Sequence, residues 1–222
     1  MELAIPWSSG RRVGALPAII LTVALLTLLW DTWLVWPLKL ICVFFHEISH
    51  GVAAVLTGGR VGSIMLESNE SGRTMAIGGS RFLVLNAGYV GSCLWGCGLI
   101  LASAKTDKDR LLTALLGAFM GLITLWYVRS PFGFLFGGAT TAGLIWCSQR
   151  LSDEQNDLVL KVIGGACCLY VIPDIWSDVV RGSCNSDAKM LSREYFGPRL
   201  LWGFSWIAAS ALALAATLRA SR

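Results

Sequence analysis

The chain has 222 residues and a net charge of +4, and 55% of its residues are hydrophobic whereas only 14% are charged. Soluble domains carry about 25% charged residues, so this composition excludes an ordinary soluble domain. It predicts an integral, multi-pass membrane protein whose surroundings are the lipid bilayer. The Lys and Arg residues form no run that would suggest a nucleic-acid partner.

Seven apolar segments are long enough to cross or nearly cross a bilayer core of about 30 Å, which predicts an all-α transmembrane fold. In chain order they are residues 16–36, 38–57, 82–103, 111–128, 131–147, 158–180 and 200–218. The number of spans falls to six if one segment is re-entrant. We expect residues 1–222 to form a single transmembrane domain of six to seven helices.

The second segment, 38–57, contains both histidines of the chain in the pattern His46-Glu47-x-x-His50. On a helix this spacing places the two imidazoles on one face, where they can share a metal ion. Glu47, beside the first histidine, can take a proton from water. Ionisable side chains are costly in hydrocarbon, so their presence in an apolar segment indicates a functional site.

Residues 60–81 differ from the segments around them. Two short runs that mix apolar and polar residues, 61–67 and 72–77, are separated by Ser, Asn, Glu and Gly residues with turn chemistry. This pattern predicts a β-hairpin close to the membrane, directly after the histidine helix.

The later segments contribute two further candidates. Asn86, near the start of 82–103, is a polar group at membrane depth that needs a partner. Segments 111–128 and 131–147 carry no ionisable residue and are assigned to the scaffold. Segment 158–180 contains Asp174 directly after Pro173, which loosens the helix.

A catalytic zinc site uses three protein ligands and leaves a fourth position for water or substrate. Since the chain has only two histidines, the third ligand is expected to be acidic. Asp174 is preferred because it lies in an apolar segment, where an uncompensated carboxylate is costly. Asp178 and Asp187 remain alternatives.

Six of the seven cysteines lie in apolar segments, where cysteine behaves as a small hydrophobic residue. Cys93 and Cys97 have the helical i, i+4 spacing, but two ligands alone do not make a zinc site. The sequence shows no disulfide framework.

These motifs resemble the site-2 protease family of intramembrane zinc metalloproteases, in its compact branch without a PDZ domain. The resemblance is carried by residues 45–51, 86–92 and 174–188. It implies that His46, His50 and Asp174 bind zinc and that Asn86 contacts the scissile carbonyl. Ile175 stands where the family usually has glycine, which keeps the alternative aspartates open.

The expected function is hydrolysis of peptide bonds in transmembrane protein substrates by zinc-activated water, with Glu47 as general base. The hairpin is expected to hold the unwound substrate through a strand edge. Two rival functions are a non-proteolytic scaffold that keeps the fold and a small transporter of metal ions or protons. An intact Glu47 argues against the first rival, and the lack of an internal sequence repeat argues against the second.

Overall fold

The computed structural model describes residues 15–30, 32–176 and 186–221. Within these ranges it has eight helices and one two-stranded antiparallel sheet. In chain order the elements are α1 (Ala15–Leu29), α2 (Trp36–Leu56), β1 (Arg60–Leu66), β2 (Gly72–Ile77), α3 (Arg81–Lys105), α4 (Asp109–Tyr127), α5 (Pro131–Arg150), α6 (Asp153–Ile175), α7 (Asp187–Glu194) and α8 (Arg199–Ala220). This arrangement confirms the predicted helical membrane fold with a hairpin after the histidine helix.

Five of the described helices, α2, α3, α4, α6 and α8, are long and apolar enough to cross a membrane. The protein is therefore a multi-pass membrane protein. The helices α1 and α5 were also predicted as spans and are not among the five. In the described residues α1 is only 15 residues long, and α5 is rich in glycine and threonine, which lower its hydropathy.

The helix α2 is the most enclosed of the five candidate spans, with 67% of its apolar window buried. Pro37 lies in its first turn, where the missing amide hydrogen removes no helical hydrogen bond. Gly58 ends the helix in the left-handed region, at φ +87°. Since Phe44 and Phe45 before the motif and Ile48 within it are buried, the two histidines are held inside the helix assembly.

The hairpin lies against α2, and only one of its two edges is covered in the described residues. On the β1 side, Arg129 donates its amide hydrogen to the Ile64 carbonyl at 2.9 Å, and the Ser130 hydroxyl bonds both main-chain groups of Leu66. The strand β2 pairs with β1 through the register Leu66↔Gly72 and Ile64↔Thr74. No described strand pairs with the other edge of β2.

The helix α7 was not predicted, because its residues lie in a stretch that reads as a polar loop. It packs Ala188 and Leu191, both fully buried, into a cluster with residues of α3, α6 and α8. Arg81, at the start of α3, forms an ion pair with Glu194 at the last turn of α7. These contacts hold the N-terminus of α7, and with it Asp187, against α3.

Candidate metal centre

Three side chains from two separate parts of the chain converge on one point. The Nε2 atom of His46 lies 3.2 Å from Oδ2 of Asp187, and the Nε2 atom of His50 lies 3.3 Å from the same oxygen. A tetrahedral zinc ion with bonds of 2.0–2.1 Å would separate two of its ligand atoms by about 3.3–3.4 Å. The spacing of the three donors therefore fits a metal ion, and both nitrogens and the oxygen face the same space.

The helix α3 fixes the orientation of the two imidazoles. Nδ1 of His50 lies 2.7 Å from the carbonyl oxygen of Val84, and since a carbonyl can only accept, this nitrogen carries the proton. Nε2 of His50 is then left with its lone pair for a metal. The His46 ring packs edge-on against Tyr89, with 4.6 Å between ring centroids.

Gly88 lets the α3 backbone approach the metal-binding edges of both rings. A Cβ atom at this position would overlap the ring of His46 and lie 2.7 Å from Nε2 of His50. Such contacts would force at least one imidazole to move. The spacing of the small residues in this segment gives no sequence signal that Gly88 contacts the histidines.

The carboxylate of Asp187 is largely enclosed, with 11% of its side chain exposed. Burial opposes the ionised form, but the electrostatic interactions with His50 and His46 outweigh it and lower the pKa of Asp187 well below its usual range. A carboxylate that stays ionised beside two imidazoles is suited to bind a cation.

The structure brings Asp187, and not Asp174, to the histidines, so Asp187 replaces Asp174 as the candidate for the third ligand. Asp174 lies in the last turn of α6 and is not part of the group formed by His46, His50 and Asp187. The reason is topological: α7 folds back from the polar stretch and occupies the position beside both imidazoles. Asp178 lies outside the described residues.

Glu47 is buried and held by the hairpin. The Thr74 hydroxyl, on β2, lies 2.7 Å from Oε2 of Glu47 and 2.8 Å from its main-chain oxygen. Gly72 makes room for the carboxylate, since a Cβ atom there would lie 2.5 Å from Oε1 of Glu47. Thr74 and Gly72 were not predicted as site residues. The only sequence signal for them is their place in the strand that follows the histidine helix.

Asn86 lies on α3 beside an apolar groove of about 740 Å³ between α2 and α3. Its amide nitrogen donates to the Phe82 carbonyl at 2.8 Å, and its oxygen accepts from the Trp206 indole at 2.9 Å. These bonds supply the partner that Asn86 needs at membrane depth. Ser49, one residue before the second histidine, lines the same groove.

In a comparison with protein families, a family model described as Peptidase M50B-like matches residues 19–217. The matched range includes the histidine helix, the hairpin and Asp187. Comparisons with curated proteins and with solved structures give no match.

Proposed function

The chain belongs to the Peptidase M50B-like family, the family of the site-2 proteases, and we propose that it is an intramembrane zinc metalloprotease that cleaves membrane-protein substrates. His46, His50 and Asp187 would hold the zinc ion, and Glu47 would act as general base. The observation that carries the proposal is the convergence of two imidazoles and one carboxylate beside a buried glutamate.

Two histidines and one carboxylate are a ligand set typical of catalytic zinc, which keeps its fourth position open. When bound, zinc would supply a Lewis acid that polarises the scissile carbonyl and lowers the pKa of water to about 7. The proton on Nδ1 of His50 fixes the tautomer that leaves Nε2 as donor.

Glu47 takes the proton of the attacking water and delivers it to the leaving amine. Thr74 is a positioning residue for this step, because its hydroxyl fixes one carboxylate oxygen and leaves the other, Oε1, without that restraint. The hairpin would thus connect substrate handling with the base, since Thr74 lies on β2.

A substrate helix has to unwind before hydrolysis, because its carbonyls are engaged in helical hydrogen bonds. The edge of β2 that no described strand covers can pair with the extended peptide. Asn86, whose amide is oriented by Phe82 and Trp206, is proposed to contact the scissile carbonyl from the α3 side.

The test is cleavage of a membrane-inserted reporter by the purified protein in liposomes. The wild type should cleave, and Glu47→Gln should retain zinc but lose cleavage, because the change removes the base and no ligand. Glu67→Gln is the matched control, since Glu67 is exposed at the hairpin turn, and it should cleave as the wild type does.

Equal cleavage by Glu47→Gln and the wild type would overturn the assignment of the base. No cleavage by any form of the protein would favour the non-proteolytic scaffold. Uptake of metal ions into the liposomes without cleavage would favour the transporter.

A further inference from the structure

A second cluster of potential metal ligands lies at the contact of α3, α6 and α8. The Sγ atoms of Cys93 and Cys97 are 4.0 Å apart, and those of Cys97 and Cys168 are 3.8 Å apart. All three sulfurs lie within 4.8 Å of one another, and all three cysteines are buried. None of them takes part in the proposed peptide hydrolysis.

Two glycines hold the helices close enough for this cluster to form. A Cβ atom on Gly96 would overlap the Gly164 carbonyl oxygen, and a Cβ atom on Gly164 would lie 2.7 Å from the Gly96 carbonyl oxygen. The backbones of α3 and α6 therefore touch beside the cysteines. Cys168 donates its thiol hydrogen to the Cys93 carbonyl, and Cys93 donates to the Ser210 carbonyl, both at 3.6 Å.

The sulfur triangle has the size of a three-coordinate metal site. A metal ion in the plane of three sulfurs, with bonds of about 2.3 Å, would hold them about 4.0 Å apart. Structural zinc almost always takes four ligands, and the described residues offer only these three to the cluster. Thiolate sulfur also selects soft cations, of which Cu(I) accepts three-fold coordination.

We propose that Cys93, Cys97 and Cys168 form a Cu(I) site that joins α3 to α6. Thiolate sulfur, not thiol sulfur, binds metal ions, so each cysteine that binds Cu⁺ releases its thiol proton to solvent. The positive charge of the ion offsets part of the negative charge that the thiolates would bring into the apolar interior.

A hydroxyl of α8 can stabilise the thiolate form. The hydroxyl of Ser210 is buried without a hydrogen-bond partner among the described residues, and the carbonyl oxygen of the same residue accepts from the Cys93 thiol at 3.6 Å. This hydroxyl can donate a hydrogen bond to a metal-bound sulfur, as the outer partners of metal sites do.

The experiment is an anaerobic titration of the purified, full-length protein in detergent with Cu(I), against a chromophoric Cu(I) chelator. The wild type and the His46→Ala/His50→Ala double variant should both bind one copper per chain. Cys97→Ser and Cys168→Ser should each weaken binding by more than about 100-fold, the upper end of what outer partners contribute. Cys147→Ser, at a half-buried cysteine of α5 outside the cluster, should bind as the wild type does.

X-ray absorption of the copper-loaded wild type gives an answer that does not depend on the folding of any variant. Three sulfur neighbours at a single distance are expected. Copper with only nitrogen or oxygen neighbours, loss of copper in the histidine variant, or unchanged affinity in both cysteine variants would overturn the proposal.

Discussion

Replacing Asp187 by asparagine should remove the third zinc ligand while preserving the size of the side chain. The carboxylate meets both imidazoles, at 3.2 and 3.3 Å. It is the only one of the three donors that carries a negative charge, and Asp187→Asn replaces it with a neutral amide. Loss of a direct ligand should lower zinc affinity by more than the loss of an outer partner, which costs about 10–100-fold, so a decrease of at least about 10²-fold is expected.

The assay is zinc competition with a chelator of known affinity, with circular dichroism as the check on folding. Asp174→Asn is the matched control, because it makes the same substitution at the aspartate that the sequence favoured as third zinc ligand. This variant should retain zinc. The reasoning would be refuted by a wild-type zinc affinity in Asp187→Asn. It would equally be refuted if Asp174→Asn lost the metal and Asp187→Asn kept it.

Three further changes test the surroundings of the centre. Thr74→Val should lower kcat by about 10–100-fold with little change in KM, as expected when one hydrogen bond to a charged group is lost, and Thr74→Ser should restore it in the reporter assay. Gly88→Ala should weaken zinc binding by about 10²-fold through displacement of the rings, whereas Gly98→Ala, where a Cβ atom meets nothing within 4 Å, should not. Arg81 lowers the pKa of Glu194 through their ion pair. The ion pair therefore stabilises the fold at pH values above the usual pKa of glutamate, and this contribution is lost as the pH falls through the lowered pKa of Glu194. Thermal melting of the wild type and Glu194→Gln should accordingly differ at neutral pH and coincide at low pH.

Local patterns in the sequence were sufficient to predict the helix and the hairpin around the histidine motif. The i, i+4 spacing of His46 and His50 requires only a helix to place both rings on one face. The hairpin at 60–81 follows from turn residues between two short runs, and its strands are observed at Arg60–Leu66 and Gly72–Ile77. Each of these predictions depends on neighbours within a few residues along the chain.

The third ligand could not be predicted in this way, because its depth in the protein is set by tertiary packing. Asp174 was preferred since a carboxylate in an apolar segment needs compensation, whereas Asp187 lies in a stretch that reads as water-exposed. A signal for α7 is present: Ser186 precedes an acidic first turn, and Ala188 and Leu191 lie on one helix face. That signal predicts a short helix, but it does not indicate which other helices of the bundle α7 contacts.

The first two turns of α3 explain how separate segments form a single centre. Arg81 holds α7 through Glu194, Val84 fixes the tautomer of His50, and Gly88 allows both rings to approach. These three residues lie at spacings of three and four, which places them along one side of the helix. A change on this side should therefore disturb the histidines and the aspartate together, although α3 supplies no ligand to this His46, His50 and Asp187 centre.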